Sequence, residues 1–381
     1  MRILVLANFG MGLYKFRKEL LEELIGEGNE VYTSLPKDEY TSRLKNLGCK
    51  FIETNVDRRG TNPITDFKLL INYIKIIKRI KPDVVLTYTI KPNIYGSIAC
   101  RITKTPYLTN ITGLGTSMEN KGLIQKITLS LYKIGLKKAS CVFFQNETNR
   151  KFFINNKIVR GNSKLIPGSG VNLELHKFED YPKEDEPIKL LFIGRIMKAK
   201  GIEELLQAAK IVKKDYPSVQ FDLIGLSEED YNQQLDALDK VGIIKYYGQQ
   251  DNVHSFIKRS HATILPSYHE GTANVLLESA ASGRPVLASR VPGCIETFDE
   301  GVSGVGFEVK SVDSLVESVI SFIELPYDEK KKMGIAGRRK MEKEYDRKIV
   351  VNAYIEKIKN LNGEMIWTYM KRSLKNKQKY H

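Results

Sequence analysis

The chain has 381 residues, enough for two or three compact domains; 42% of its side chains are apolar, 28% are charged, and its formal net charge is +15. This composition excludes a collagen and a disordered polyelectrolyte, and no stretch approaches the ~18 uninterrupted apolar residues of a membrane span. Residues 1–180 hold 29 Lys and Arg against 16 Asp and Glu, residues 181–344 hold 22 against 26, and residues 345–381 hold 9 against 3. A basic half joined to a near-neutral one argues for two domains with different partners, the basic surface suiting anionic lipid, phosphorylated substrates or nucleic acid.

In chain order, residues 2–7 read as a strand, because one charge and a short apolar run are too little for a signal peptide. Periodicity predicts a helix over 15–27 closed by Gly28, a strand over 31–35, a helix over 66–80, and strands over 84–87 and 140–145. A polar, turn-rich segment from Pro182 to Pro187 follows. The alternation then restarts with strands at 190–193, 221–224, 246–247 and 262–265 and helices at 201–214, 228–240, 273–282 and 312–324. Strands alternating with helices imply parallel sheets, so the expected class is α/β with two doubly wound domains facing each other. The expected division is 1–180 and 181–344, with a helix and basic tail over 345–381. Cys49, Cys100, Cys141 and Cys294 lack C-x-x-C spacing, which argues against a zinc site or disulfide scaffold and for a soluble, reducing compartment.

Ligands of open α/β sheets bind beyond the carboxyl ends of strands, so those loops are where chemistry is expected. The richest is Pro266-Ser267-Tyr268-His269-Glu270-Gly271-Thr272-Ala273-Asn274, which leads into a helix carrying Glu278 and ending at Gly283. Thr272 is a candidate cap, and the amides of Gly271, Thr272, Ala273 and Asn274 are a candidate anion cradle. Glu278 lies about 9 Å along the helix axis from Thr272 at ~1.5 Å per residue. That spacing suits a nucleotide-sugar, with Glu278 on ribose hydroxyls and Glu270 on the sugar ring. It equally suits a helix-dipole partner and a solvated glutamate. The second loop is Gly194-Arg195-Ile196-Met197-Lys198-Ala199-Lys200-Gly201. Gly194 lets the backbone turn beside a ligand, and Arg195 and Lys200 could receive the charge that develops on a departing diphosphate; alone, they also read as a solvated basic loop. Gly10-x-Gly12 lacks the third glycine of a dinucleotide fingerprint, and there is no Asp-x-Asp to bridge a diphosphate through a metal.

Taken together, Arg195, Lys200 with Gly201, Glu270-x7-Glu278 and the Gly170-Val171-Asn172 turn resemble the retaining glycosyltransferases of family 4, which have the GT-B fold. Three stretches are similar to bacterial capsule, exopolysaccharide and O-antigen enzymes: Thr87 to Gly96, Asn110 to Thr116, and Val142-Phe143-Phe144-Gln145-Asn146. The resemblance implies transfer of a hexosyl or N-acetylhexosaminyl group from a UDP-sugar to an undecaprenyl-diphosphate-linked glycan at the cytoplasmic membrane face, without a metal. Carried over, Arg195 and Lys200 hold the donor diphosphate, Glu278 the ribose, and Glu270 with Gly271 to Asn274 the transferred sugar; Gly12 lets the first-domain loop approach the donor. Relatives place a histidine near Tyr88, but this chain has none before His176, which leaves Tyr88, Thr89 and Lys91 as acceptor-side candidates.

Residues 121–138 mix lysines with leucines and isoleucines in the pattern of a helix lying on an anionic inner-membrane surface, and 68–81 repeat the mixture; both could instead bury their apolar faces against the sheet, which is the favoured reading of 68–81. The competing readings are a GT-B UDP-sugar 2-epimerase and a basic nucleic-acid binder; the latter has no recognisable binding motif, and no nucleic-acid partner is expected.

Overall fold

The computed structural model describes residues 1–58, 60, 62–113 and 122–377, and side chains up to residue 363. Leu114 to Thr116 of the quoted motif, Lys121, and the side chains of the tail lie outside the described residues. The chain divides into two compact units, Met1–Ser169 with Lys348–His381, and Gly170–Arg347.

In the first unit the order is β1 (Arg2–Leu6), α1 (Gly10–Gly26), β2 (Glu30–Leu35), α2 (Thr41–Asn46), β3 (Lys50–Glu53), α3 (Pro63–Ile80) and β4 (Val84–Tyr88). It continues through α4 (Ser97–Thr103), β5 (Tyr107–Ile111), α5 (Leu123–Leu136), β6 (Cys141–Phe144), α6 (Glu147–Asn155) and β7 (Ser163–Leu165), and closes with α13 (Arg347–Lys377). Seven parallel strands lie in the order β3-β2-β1-β4-β5-β6-β7. Strand side chains alternate between faces. Ile3, Val5, Val84 and Leu86 meet Leu20 and Leu24 of α1 and Val350, Tyr354 and Ile358 of α13. Leu4, Leu6 and Val85 meet Leu69, Tyr73 and Ile76 of α3. A strand covered on both faces needs no polar side, so β4 and β5 are buried at every residue.

The second unit runs β8 (Lys189–Ile193), α7 (Ile202–Asp215), β9 (Gln220–Ile224), α8 (Asn232–Lys240), β10 (Lys245–Tyr246), α9 (Val253–Arg259), β11 (Ala262–Leu265), α10 (Asn274–Ala281), β12 (Val286–Ser289), β13 (Gly304–Phe307), α11 (Val312–Glu324) and α12 (Tyr327–Lys340). Its six parallel strands lie in the order β10-β9-β8-β11-β12-β13. The order reverses direction between β8 and β11, and the two loops singled out in the sequence leave from the carboxyl ends of those two strands.

The division falls at 169/170 rather than near 180, for a physical reason. The amide of Val171 donates to Tyr345 O (2.8 Å), and the amide of Arg347 donates to Val171 O (3.0 Å). The fully buried Arg284 guanidinium gathers the carbonyls of Glu179 (3.0 Å) and Asp180 (2.6 Å). Residues 170–181 are thus fastened to the second unit. Two helix starts also differ from expectation. Helix α1 begins at Gly10, because the Asp38 carboxylate accepts from the Gly10 amide (2.5 Å) and takes one of its open donors. Helix α8 begins at Asn232, because Glu228 and Glu229 turn back to meet Arg195 and the amide of Lys198.

Candidate active site

The second unit brings its two loops into contact at the switch point. Gly201 makes this possible. Its φ is +70°, and a Cβ there would stand 2.1 Å from the carbonyl oxygen of Pro266, so only glycine lets the two loops close together. The amide of Tyr268 donates to Ala199 O (3.0 Å), and the Tyr268 hydroxyl donates to Glu204 Oε1 (2.8 Å), which knits the loops further. Lys200 Nζ is thereby delivered to Glu270 Oε1 as an ion pair, and the Ser267 hydroxyl donates to the same oxygen (2.8 Å). Ser267 is fully buried and both members of the pair are mostly covered, so the carboxylate is held by two donors in a part-dry setting.

Behind Glu270 lies a second glycine contact. Gly293, with φ +87°, presses against the Glu270 carbonyl, where a Cβ would approach to 2.5 Å. Its carbonyl accepts from the amide of Ala273 (2.8 Å), and its own amide donates to Glu296 Oε2 (2.7 Å). The amide of Ala273 is therefore spent, which narrows the expected cradle. Nor does Thr272 cap the helix: α10 starts at Asn274, with Ala273 in the cap position and no side-chain cap. The result is a helix N-terminus with no side-chain cap and no acidic residue in its first turn, beside a lysine. Asn274 Oδ1 is shielded from solvent there and meets no donor among the described residues. Glu278 lies half-buried one turn further along α10, and His269 is exposed.

Arg195 is half exposed and pairs with Glu228 Oε2 (2.9 Å). Gly194 donates its amide to Ile224 O (2.9 Å), and its carbonyl abuts Gly225, where a Cβ would stand at 1.7 Å. Glu270 also raises, and Lys200 lowers, the buried Cys294 thiol, although burial is the main reason that thiol lies well above its ordinary range. The field of the pair thus reaches the loop after β12. Gly293 and Ser267 were not among the sequence candidates; the Val291-Pro292-Gly293 turn after a strand is the signal that marks the first.

The first-unit candidates are placed differently. Tyr88 is 5% exposed and packs in the core, with the Arg17 guanidinium 5.1 Å from its ring centre and Tyr354 6.2 Å away; burial pushes its phenol far up. Thr89 follows at the sheet's carboxyl edge with φ +70°, a strained conformation for a β-branched residue, and its hydroxyl donates to Tyr88 O. Lys91 Nζ pairs with Asp66 Oδ1 (2.6 Å), whose other oxygen accepts from the Tyr95 hydroxyl (2.9 Å). The place of a side chain at Gly12 is taken by the Phe9 ring, which a Cβ would meet at 2.4 Å. Among the described residues no group of three or more His, Cys, Asp or Glu side chains is arranged to hold a metal, and no helix is long and apolar enough to cross a membrane.

Two family models match the chain in succession. Residues 2–146 match the glycosyl transferase 4-like family, and residues 175–340 match glycosyl transferases group 1. A Campylobacter jejuni relative, N,N'-diacetylbacillosaminyl-diphospho-undecaprenol alpha-1,3-N-acetylgalactosaminyltransferase, is 28% identical over 93% of this chain and 98% of its own length. The Staphylococcus aureus capsular polysaccharide biosynthesis glycosyltransferase CapM is 27% identical over 77% of this chain and 80% of its own. In fold, the chain is similar to Anabaena HepE, solved in complex with UDP and glucose, with a TM-score of 0.76 at 17% identity over 93% of this chain and 98% of that one. These matches are to transferases, so the epimerase reading is set aside. With both sheets parallel and doubly wound and both halves matched in order, the chain belongs to the GT4-like, group 1 glycosyltransferases, and it is a hexosyl-transferring enzyme of GT-B fold.

Proposed function

We propose that the enzyme moves a hexosyl or N-acetylhexosaminyl group from a UDP-sugar to an undecaprenyl-diphosphate-linked glycan in surface-polysaccharide assembly, with retention and without a metal. The observation that carries this reading is the Lys200–Glu270 pair beside the uncapped N-terminus of α10. An ammonium has three donors, so Lys200 can keep Glu270 and still meet a donor phosphate. Arg195, swung out on the neighbouring loop, supplies a second cation to the same diphosphate. Helix α10 offers its first amides and Asn274 to the sugar end and Glu278 to the ribose.

Charge builds on the diphosphate as the glycosidic bond breaks, and Lys200, Arg195 and the helix terminus stabilise it there. No carboxylate is assigned as a nucleophile. The acceptor hydroxyl adds to the anomeric carbon on the face from which the diphosphate leaves, and its proton passes to a leaving phosphate oxygen. Thr89, Tyr88 and Lys91 mark the acceptor side. The lipid carrier brings the enzyme to the inner face of the membrane. Helix α5 suits that surface: Leu123 is 73% exposed, Ile124, Ile127 and Ile134 are exposed with it, and Lys126, Lys133 and Lys137 lie among them.

Calorimetric titration with UDP, GDP, ADP and CMP in EDTA tests the donor site, and selective binding of UDP is expected. Lys200→Ala and Glu278→Ala should keep the melting temperature. Lys200→Ala should lower turnover about 10²–10³-fold, the loss typical of removing one donor to a developing oxyanion. Near-normal turnover in both variants would reject the site.

A further inference from the structure

The first unit carries a second concentration of charge, away from the loops just described. Arg101, Lys133, Lys137, Lys157 and Arg160 line a cavity of about 470 Å³, with Ile134 at its side. The five cations come from the ends of α4, α5 and α6, which lead into the beginnings of β5, β6 and β7. Helices antiparallel to the strands place these ends at the sheet edge opposite the Thr89 turn, so the cavity is remote from the acceptor-side residues.

Carbonyls at helix C-termini attract cations, and one of the five is used in that way: Arg101 Nη1 donates to Ile134 O. That leaves four. No carboxylate lines the cavity, and none of the five cations makes an ion pair among the described residues. Arg101 Nε is shielded from solvent and meets no acceptor there. Lys157 holds a left-handed backbone, φ +54°, at the turn that leaves α6. A cavity of ligand size walled by like charges and without a counter-charge of its own is complementary to a polyvalent anion. Its rim on the α5 side is apolar: Ile134, 48% exposed, stands in the wall, and Ile127 and Leu123, about two and three turns earlier on the same helix face, extend an exposed apolar ridge away from it. A free phosphate has no use for that rim, whereas a phosphate ester attached to acyl chains does.

We propose that this cavity binds the phosphate of an anionic phospholipid headgroup, with the α5 ridge resting on the acyl boundary. The proposal rests on the membrane-facing reading of α5 given above and adds a defined socket to it.

The test is sedimentation of the full chain with phosphatidylcholine vesicles, with and without phosphatidylglycerol. Wild type should bind the anionic vesicles selectively. K133A/K137A/R160A should weaken that binding about a hundredfold, at about fivefold per cation near the surface. K68A/K75A/K78A removes the same charge from exposed positions of α3 and should weaken it less than about fivefold, one cation's share at most. Lys137→Glu repeats the test with a single change, and amide exchange in β4 to β6 together with melting temperature reports that each variant is folded. Equal losses in the two triple variants would overturn the socket while leaving the membrane reading intact. Absence of wild-type vesicle binding would overturn both and leave UDP binding untouched. Saturable binding of glycerol 3-phosphate without vesicle binding would assign the cavity to a soluble anion and overturn the lipid assignment.

Discussion

Helices α1 and α10 both begin in loops beyond the carboxyl edge of a parallel sheet, and they differ in what meets their first amides. At α1 the chain supplies its own anion, the Asp38 carboxylate on the amide of Gly10. At α10 the first turn holds no acidic residue and the cap position no side-chain hydrogen bond, and the carboxylate just before it, Glu270, is turned to Lys200 and Ser267. A helix N-terminus is a ligand site only where the fold leaves it unsatisfied. The same contrast runs through the two units. The conspicuous polar residues of the first, Arg17, Tyr88, Asn110 and Tyr354, are buried and serve its core, whereas the second, besides its buried Arg284 and His261, sets Arg195, Lys200 and Glu270 on loops that meet at a strand-order reversal.

If that division of labour is right, damage to the first core should leave donor binding alone. Tyr354 packs 4.3 Å from Phe143 and its hydroxyl accepts from Asn110 Nδ2 (2.7 Å). Tyr354→Ala should destabilise the first unit by about 3–5 kcal/mol, the usual cost of emptying a buried aromatic site. Amide exchange in β4 to β6 would report it, with unchanged affinity for UDP; an equal loss of UDP affinity would break the comparison.

The second unit should show the opposite weakness, to acid. Burial lowers the His261 pKa to about 4, and its Nδ1 accepts from the amide of Lys189 (3.1 Å). The unfolded chain binds this proton near pH 6.5 and the native chain only near 4. Stability is therefore full above 6.5 and falls by about 3 kcal/mol as the pH drops to 4. Urea titrations across that range check it, and His261→Gln should flatten the slope; an unchanged slope would rule the histidine out.

The smallest effect sharpens the contrast between the two helices. Asp38→Ala removes the carboxylate at α1 and should cost about 1 kcal/mol, as loss of a cap does, with no change in UDP binding. Weaker UDP binding would place α1 in the donor site.

Much of this architecture is legible in the order of residue types along the chain. Apolar runs between helical periods mark β1, β4, β8, β9 and β11, and the separation of Glu270 from Glu278 singles out α10 as the proposed donor helix. Strands β12 and β13 escape because Val286–Ser289 carries Ala288 and Gly304–Phe307 two glycines, residues with little preference for strands. The helix expected over 66–80 begins at Pro63 because Asn62 caps it, its side chain accepting from the amide of Ile64 (2.9 Å). At the site, residue types are readable but their partners are not. Nothing local pairs Lys200 with Glu270 across seventy positions, or sets Gly293 against the Glu270 carbonyl, because those contacts arise from strand order. For the same reason the sequence names Tyr88 and Lys91 only as acceptor-side candidates and hides that Tyr354 of a far-end helix packs near the one and Asp66 pairs with the other.

That far-end helix has a consequence for synthesis. The first unit is completed by α13, whose Val350, Tyr354 and Ile358 close one face of its sheet, and the whole of Gly170–Arg347 is translated before α13 emerges. The second unit is continuous and has all its strands as soon as it leaves the ribosome, whereas the first waits with Phe143 and its neighbours uncovered. At about 5–20 residues per second, that apolar face stays open for many seconds. The half of the chain made first is the half that matures last.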